Sequence, residues 1–148
     1  MLGTLNVLVA ARDAGIWRFI FSGSSSVYGE QPTLPLREEM PPNPLSPYAL
    51  QKLAGEQYTR LFNQLYGLET LTLRYFNVFG PRMILEGAYP TVIGGFLSAR
   101  QRQRPLTICG DGEQTCDFTC VSDAVQANLA ALWPMAVRST SAADAVSA

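Results

Sequence analysis

The sequence Arg18-Phe19-Ile20-Phe21-Ser22 is a short, mostly apolar run, typical of a strand that is buried on both faces of a parallel sheet. A second run of this kind, Leu71-Thr72-Leu73-Arg74-Tyr75-Phe76, follows further along the chain. Between them, Ser46 and Pro47 predict the start of a helix, since a serine hydroxyl caps unpaired N–H groups and proline suits the first helical position. We expect this helix to run to about Tyr66 and to end at Gly67.

The rest of the chain continues this alternation of helices and strands. Leu2, Leu5, Leu8 and Val9 recur at helical spacing and predict a helix over residues 2–13. The segment from Gly23 to Pro47 is rich in serine, glycine and proline, which predicts a loop. Further along we predict a loop at 80–82, a helix at 91–102, a strand at 106–109, a turn at 110–112 and a helix at 122–132. This order of elements is typical of a doubly wound α/β fold with a parallel sheet.

Composition narrows the classes of function. The 148 residues suit one domain, and the net charge of -1 gives no electrostatic case for binding nucleic acid or an anionic membrane. No apolar run approaches the roughly 20 residues that cross a bilayer, so we expect a cytoplasmic protein. The chain has no histidine, which excludes an imidazole base, and its odd number of cysteines favours free thiols over disulfides. We expect no metal site, because the three cysteines Cys109, Cys116 and Cys120 lack a histidine as fourth ligand.

The clearest chemical signal is the pair Tyr48 and Lys52, which the predicted helix places on one face. An ammonium group beside a phenol favours the phenolate, which can take a proton from an alcohol near neutral pH. The same ammonium can donate hydrogen bonds to sugar hydroxyls. Such a pair also occurs on ordinary solvated helix faces, so the spacing alone does not establish a site.

A serine-rich segment strengthens this interpretation. Ser22-Gly23-Ser24-Ser25-Ser26-Val27-Tyr28-Gly29 follows directly on the first predicted strand. Ligands of open α/β sheets bind at the carboxyl ends of the strands, where a serine can hydrogen-bond a reacting alcohol or carbonyl. A plain serine-rich loop would have the same composition.

The motifs taken together resemble the NAD-dependent epimerase/dehydratase branch of the extended short-chain dehydrogenases, most closely the UDP-glucose 4-epimerases. The resemblance is carried by Ser-Ser-Ser-Val-Tyr-Gly, Pro-Tyr-x-x-x-Lys, Arg74-Tyr75-Phe76-Asn77-Val78-Phe79-Gly80-Pro81-Arg82 and Gly110-Asp111-Gly112-Glu113-Gln114-Thr115 with Asp117-Phe118. They stand in the family's order and spacing from about Gly3 to about Leu132. The resemblance implies a partial Rossmann-like sheet followed by part of a C-terminal substrate-binding region.

The resemblance also implies a role for each matching residue. Tyr48 would be the acid/base, Lys52 would hold the nicotinamide ribose of NAD and tune the tyrosine, and Ser24 would orient the sugar hydroxyl. Tyr75 and Phe76 would lie beside the nicotinamide. The substrate, a nucleotide-sugar such as a UDP-sugar, would contact Asn77, Thr107 and Ile108. Family members often form homodimers through a helix pair, which here corresponds to residues 2–13 and 47–66.

Two comparisons with the family pattern bear on the reaction. The family's dehydratases carry Asp and Glu where this chain has Ser25 and Ser26, and neither serine is a useful acid or base at neutral pH, which favours an epimerase. Cys116 stands where an arginine commonly contacts substrate phosphate, and a neutral thiol cannot replace that donor. Four alternatives remain open: a nucleotide-sugar dehydratase, a decarboxylase, a reductase, and a non-catalytic remnant of the family.

The domain organisation also follows from the resemblance. Residues 1–80 would be the C-terminal half of an NAD-binding domain, 81–132 part of the substrate region, and 133–148 a divergent tail. The family's Gly-rich turn, which cradles the pyrophosphate, has no counterpart in this sequence. We therefore expect a truncated form that is marginally stable and inactive by itself, because a strand at residues 19–21 or 71–73 would have an unpaired apolar edge.

Overall fold

The computed structural model describes residues 2–85, 91–108 and 110–133. Four helices of α type and four strands lie within these ranges. The helices are α1 (Leu2–Asp13), α2 (Pro47–Tyr66), α3 (Val92–Gln101) and α4 (Val121–Leu132), and the strands are β1 (Arg18–Ser24), β2 (Glu69–Tyr75), β3 (Val78–Phe79) and β4 (Thr119–Cys120). A 3₁₀ turn, Ser25–Tyr28, follows β1. The chain divides into two compact units, one comprising the residues up to Phe76 and from Val125 onward, the other residues 77–124.

The first unit is built on a β–α–β arrangement. Strands β1 and β2 are parallel, in a register that pairs Arg18 with Glu69 at one end and Ser24 with Tyr75 at the other. Helix α2 connects them and packs against both. The predicted α/β class with a parallel sheet is therefore confirmed. The loop predicted from Gly23 onward is wrong at its start, because Gly23 and Ser24 pair with β2 and residues 25–28 form the 3₁₀ turn. At its other end Pro47 begins α2, as the helix prediction has it.

Helix α2 has the predicted bounds because both of its ends are specified locally. The Ser46 hydroxyl accepts a hydrogen bond from the N–H of Ala49 at 3.1 Å, and Pro47 occupies the first turn. At the other end Gly67 adopts a left-handed conformation with φ of 67°, and its N–H donates to the carbonyl of Asn63 at 3.0 Å. Such a C-terminal glycine satisfies a carbonyl that the last helical turn leaves unpaired.

The core of the first unit lies between α1, α2 and the start of the sheet. Leu8 and Ala11 of α1 pack with Phe62 of α2 and with Leu68, and Phe19 of β1 borders this cluster. The two strands are less buried than predicted, since Phe19, Ile20 and Phe21 are only half-buried, as are the residues of β2 from Thr70 onward. The physical reason is that, within the described residues, β1 and β2 pair only with each other, so each has one unpaired edge.

The second unit contains a short parallel pair that was not predicted. Val78 pairs with Thr119 and Phe79 with Cys120, and the ring of Phe79 meets that of Phe118 edge to face at 6.5 Å between centroids. The strand predicted for residues 106–109 is wrong for 106–108, which are exposed and irregular, and Cys109 lies outside the described residues. Its alternating apolar side chains satisfied the period of a strand, yet no described strand pairs with it.

The last helix begins one residue earlier than predicted, at Val121, and starts in the second unit before continuing into the first. The predicted tail, 133–148, lies outside the described residues apart from Trp133. The predicted boundary at residue 80, between an NAD-binding part and a substrate-binding part, stays a prediction. No helix among the described residues is long and apolar enough to span a membrane.

Candidate active site

The carboxyl end of the two-stranded sheet brings Ser24 and Tyr75 together. They are the last residues of β1 and β2 and face each other in the strand register. Ser24 is almost completely buried, with 9 % of its surface exposed. Its hydroxyl accepts the N–H of Ser26 at 3.2 Å and forms a hydrogen bond with the hydroxyl of Ser26 at 2.8 Å. Ser24 thereby caps the 3₁₀ turn, and its side chain is held in one orientation at the strand end.

The turn after Ser24 depends on Gly29. This residue has φ of 58°, and a Cβ on it would lie 1.8 Å from the carbonyl oxygen of Asn43. Asn43 in turn donates its N–H to the carbonyl of Val27 at 2.9 Å. Only glycine permits this close approach, so the loop from Gly29 onward is fixed against the serine-bearing turn.

Helix α2 presents Tyr48 and Lys52 on one face, as predicted. The ammonium of Lys52 donates to the backbone carbonyl of Ser22 at 2.8 Å and lies 5.7 Å from the ring centroids of both Tyr48 and Phe21. Tyr48 is 55 % exposed, so its phenol is accessible to a ligand. The carbonyl of Ser22 fixes the lysine head next to the tyrosine, two residues before Ser24 in β1.

Gly55 allows α2 to pack this closely on β1. It is buried in the middle of the helix, and a Cβ on it would lie 2.3 Å from Cζ of Phe21. The absence of a side chain at Gly55 therefore lets the Phe21 ring fill the space one turn beyond Lys52. A glycine inside an otherwise regular helix was the sequence signal for this contact, although its partner was not deducible.

The other predicted cofactor residues occupy the end of β2. The hydroxyl of Tyr75 accepts a hydrogen bond from Nδ2 of Asn128, on α4, at 2.6 Å. Phe76 follows immediately and is half-buried. Sequence reasoning missed Asn128, which no motif distinguishes, and Ser22, which acts through a backbone carbonyl that any residue type supplies.

The predicted substrate residues other than Ser24 lie in the second unit. Nδ2 of Asn77 donates to the carbonyl of Asp117 at 2.8 Å, and the carbonyl of Asn77 accepts the N–H of Thr119 at 3.2 Å. Thr107 and Ile108 are exposed. Asn77 therefore joins the two segments that carry β3 and β4, while the substrate contacts assigned to all three residues stay predictions.

The cysteines of the second unit that the structure describes have free thiols, as predicted. Cys116 is exposed, and Cys120 is half-buried at the end of β4. The hydroxyl of Ser122 donates to Sγ of Cys120 at 3.2 Å, which lowers the pKa of that thiol. Among the described residues, no three His, Cys, Asp or Glu side chains are grouped to hold a metal ion.

The arrangement can perform acid/base chemistry on an alcohol. It combines an accessible phenol, a fixed ammonium beside it and a buried hydroxyl at the neighbouring strand end. Residues 1–138 match the NAD dependent epimerase/dehydratase family. The chain belongs to this family.

Relatives within the epimerase/dehydratase family agree with the fold and the motifs. A putative UDP-glucose 4-epimerase of Methanocaldococcus jannaschii is 45 % identical over 133 residues, which are 89 % of this chain and 43 % of that protein. The structure of a UDP-glucose 4-epimerase from Thermotoga maritima with UDP-glucose has a TM-score of 0.86 at 37 % identity, over 89 % of this chain and 43 % of that one. That of a Thermus thermophilus UDP-glucose 4-epimerase with NAD has a TM-score of 0.81 at 33 % identity, over 91 % and 45 %.

The chain thus spans less than half the length of these family members. The predicted family and the Rossmann-like class are confirmed by these matches. The roles assigned to the individual site residues stay predictions.

Proposed function

We propose that this protein acts as an NAD-dependent nucleotide-sugar epimerase, with Tyr48 as acid/base, Lys52 as its partner and Ser24 as the group that orients the sugar. The observation that carries the proposal is the attachment of the Lys52 ammonium to the carbonyl of Ser22, which holds it beside the accessible Tyr48 phenol at the carboxyl end of β1. Ligands of parallel sheets bind at this end. We take UDP-sugars as the substrate class, because the relatives include UDP-glucose 4-epimerases, one of them in complex with UDP-glucose.

The residues at this end of the sheet fit the ribose and nicotinamide of NAD. The Lys52 ammonium has three N–H donors, of which the Ser22 carbonyl accepts one, so two remain for the vicinal hydroxyls of a ribose. Tyr75, the last residue of β2, and Phe76 directly after it would offer flat apolar surface to the nicotinamide ring. When bound, NAD would supply the hydride acceptor for oxidation of the sugar carbon and, once reduced, the hydride donor for its reduction on the other face.

The chain's own residues move the proton. Tyr48, as phenolate, removes the proton from the sugar hydroxyl while the carbon loses its hydride, which leaves a keto sugar. The Lys52 ammonium stabilises the phenolate by its positive charge. The Ser24 hydroxyl donates a hydrogen bond to the reacting oxygen, and Tyr48 returns its proton when the keto sugar is reduced again.

The serines after Ser24 favour epimerisation over dehydration. Elimination of water from the keto sugar needs a further acid and base, and Ser25 and Ser26 supply neither. The Ser26 hydroxyl is already hydrogen-bonded to Ser24. We therefore propose an epimerase. We further propose, as expected from the sequence, that it acts in the cytoplasm and forms a homodimer through α1 and α2.

The test is the interconversion of UDP-glucose and UDP-galactose by the purified chain with NAD, together with calorimetry of NAD binding. We expect Tyr48→Phe to reduce kcat by about 10²–10⁴-fold, the usual contribution of a positioned acid/base, and Lys52→Ala to weaken NAD binding as well. Tyr66→Phe is the matched control, because Tyr66 lies on the same helix and is similarly exposed, at 51 %.

Three other outcomes would contradict the proposal in different ways. A wild-type chain that neither binds NAD nor turns over a UDP-sugar would contradict the proposal. It would agree instead with the truncated form expected from the missing Gly-rich turn, or with a non-catalytic member of the family, for which the exposed Cys116 in place of an arginine would be the first residue to examine. Release of water or of carbon dioxide from UDP-sugars would instead identify a dehydratase or a decarboxylase. Equal kcat in Tyr48→Phe and Tyr66→Phe would remove Tyr48 from the chemistry.

A further inference from the structure

Arg74 forms an ion pair that the proposed acid/base chemistry does not use. Its Nε donates to Oε2 of Glu56 at 3.0 Å and its Nη2 to Oε1 at 2.5 Å, so the two side chains form a bidentate pair. Both are only 18 % exposed. The guanidinium also lies over the ring of Tyr28, 4.6 Å from its centroid, and Tyr28 itself is 3 % exposed. Arg74, Glu56 and Tyr28 thus form a largely buried cluster of charged and aromatic side chains in the first unit.

The cluster joins the three segments on which the site residues stand. Glu56 lies on α2, one turn after Lys52 and on the same face of the helix. Tyr28 ends the 3₁₀ turn that Ser24 caps. Arg74 itself belongs to β2, opposite Gly23 in the register and one residue before Tyr75. One guanidinium therefore fixes α2 and the serine-bearing turn relative to the strand between them.

We propose that Arg74 is a positioning residue. Its ion pair with Glu56 fixes the position of α2 relative to β2, and its contact with Tyr28 fixes the position of the serine-bearing turn. Lys52 and Ser24 are thereby held at the carboxyl end of the sheet. This inference rests on the proposed function. The planar guanidinium is suited to the task, since it binds a carboxylate through two parallel hydrogen bonds and stacks on an aromatic ring at once. A lysine at this position would supply a single charged point and would leave one of those contacts unmade.

Stability alone is the competing explanation, and the chain contains a matched control for it. Arg18 pairs with Glu69 at 2.6 Å across the same two strands, at their opposite end. Arg18 is 12 % exposed and also donates to the carbonyls of Ala131 and Trp133, so its removal is a comparable loss of contacts. If the role of Arg74 were purely structural, the loss of kcat would be related to the loss of thermal stability in the same way in Arg74→Met as in Arg18→Met.

The experiment compares turnover and thermal stability of wild type, Arg74→Met, Arg74→Lys, Glu56→Gln and Arg18→Met with UDP-glucose and NAD. We expect kcat to fall by about 10–100-fold in Arg74→Met, the scale that a displacement of about 1 Å produces, with KM changed far less. Arg74→Lys should not restore kcat. Glu56→Gln should lower it in the same direction, and the Arg74→Met/Glu56→Gln double variant should be no worse than Arg74→Met alone, because Arg74→Met has already removed the contact with Glu56. Arg18→Met should keep the wild-type kcat.

A second measurement judges the inference even where the proposed function fails. In chain labelled with ¹³C-tyrosine, the Tyr48 ring resonance is assigned from its loss in Tyr48→Phe. We expect this resonance to move in Arg74→Met and to stay in place in Arg18→Met. A wild-type chain without turnover refutes the proposed function, whereas an unmoved Tyr48 resonance, or a folded Arg74→Met with wild-type kcat, overturns the positioning role.

Discussion

Replacement of Gly55 by alanine tests the contact that brings α2 onto β1. An alanine Cβ at this position would lie 2.3 Å from Cζ of Phe21 and 3.0 and 3.1 Å from the adjacent ring carbons. Carbon atoms pack best at about 3.5–4.0 Å, so the ring or the helix must move by more than about 1 Å. Overpacking of this kind costs about 1–3 kcal/mol.

Alanine also favours the helix over glycine by up to about 1 kcal/mol, which partly hides the steric cost. Gly3→Ala corrects for this gain, since Gly3 lies in α1 of the same unit and nothing within 4 Å would meet its Cβ. We expect Gly55→Ala to be less stable than Gly3→Ala by about 1–3 kcal/mol, which is a difference in Tm of roughly 3–10 °C for a chain of this size.

Thermal unfolding followed by circular dichroism measures this difference. The double variant Gly55→Ala/Phe21→Leu supplies a further check, because a leucine has no atom at the position of Cζ. The double variant should lose less stability than the sum of the losses in the two single variants. If Gly55→Ala were as stable as Gly3→Ala, the close packing of α2 on β1 would be refuted, and the position of Lys52 would need a different physical cause.

Two further predictions concern stability. Ser46→Ala should destabilise the protein by about 1 kcal/mol in urea unfolding, because the N–H of Ala49 loses its acceptor. Ser46→Asn should retain most of the stability, since asparagine also caps helices. Equal unfolding midpoints for wild type and Ser46→Ala would count against the cap. The hydrogen bond from Arg18 lowers the pKa of Glu69 from its ordinary 4.5, so this pair stabilises the folded state above pH 4.5 and ceases to do so as the pH falls through the lowered value. The stability advantage of wild type over Arg18→Met should therefore shrink on acidification below pH 4.5, and an advantage independent of pH would contradict the pairing.

Local signals in the sequence were sufficient for the two long helices of the first unit, α1 and α2. The bounds of α2 follow from Ser46 and Pro47 at one end and Gly67 at the other, since capping depends on neighbouring residues only. The face shared by Tyr48 and Lys52 follows from helical geometry. The motifs between Ser22 and Phe118 identified the family, which the matches confirm.

Contacts between distant residues were beyond such signals. The pairing of Val78 and Phe79 with Thr119 and Cys120 involves two residues a strand, too few to show a period, and the apolar alternation at 106–108 showed a period without a partner. The anchoring of Lys52 to a backbone carbonyl, the Phe21 ring beneath Gly55 and the Arg74–Glu56 pair each join segments that are 18 or more residues apart. Residue types and spacing therefore determined which groups are available for chemistry, and tertiary packing decided where they stand, because a hydrogen bond or ring contact needs a partner that only the folded chain brings near.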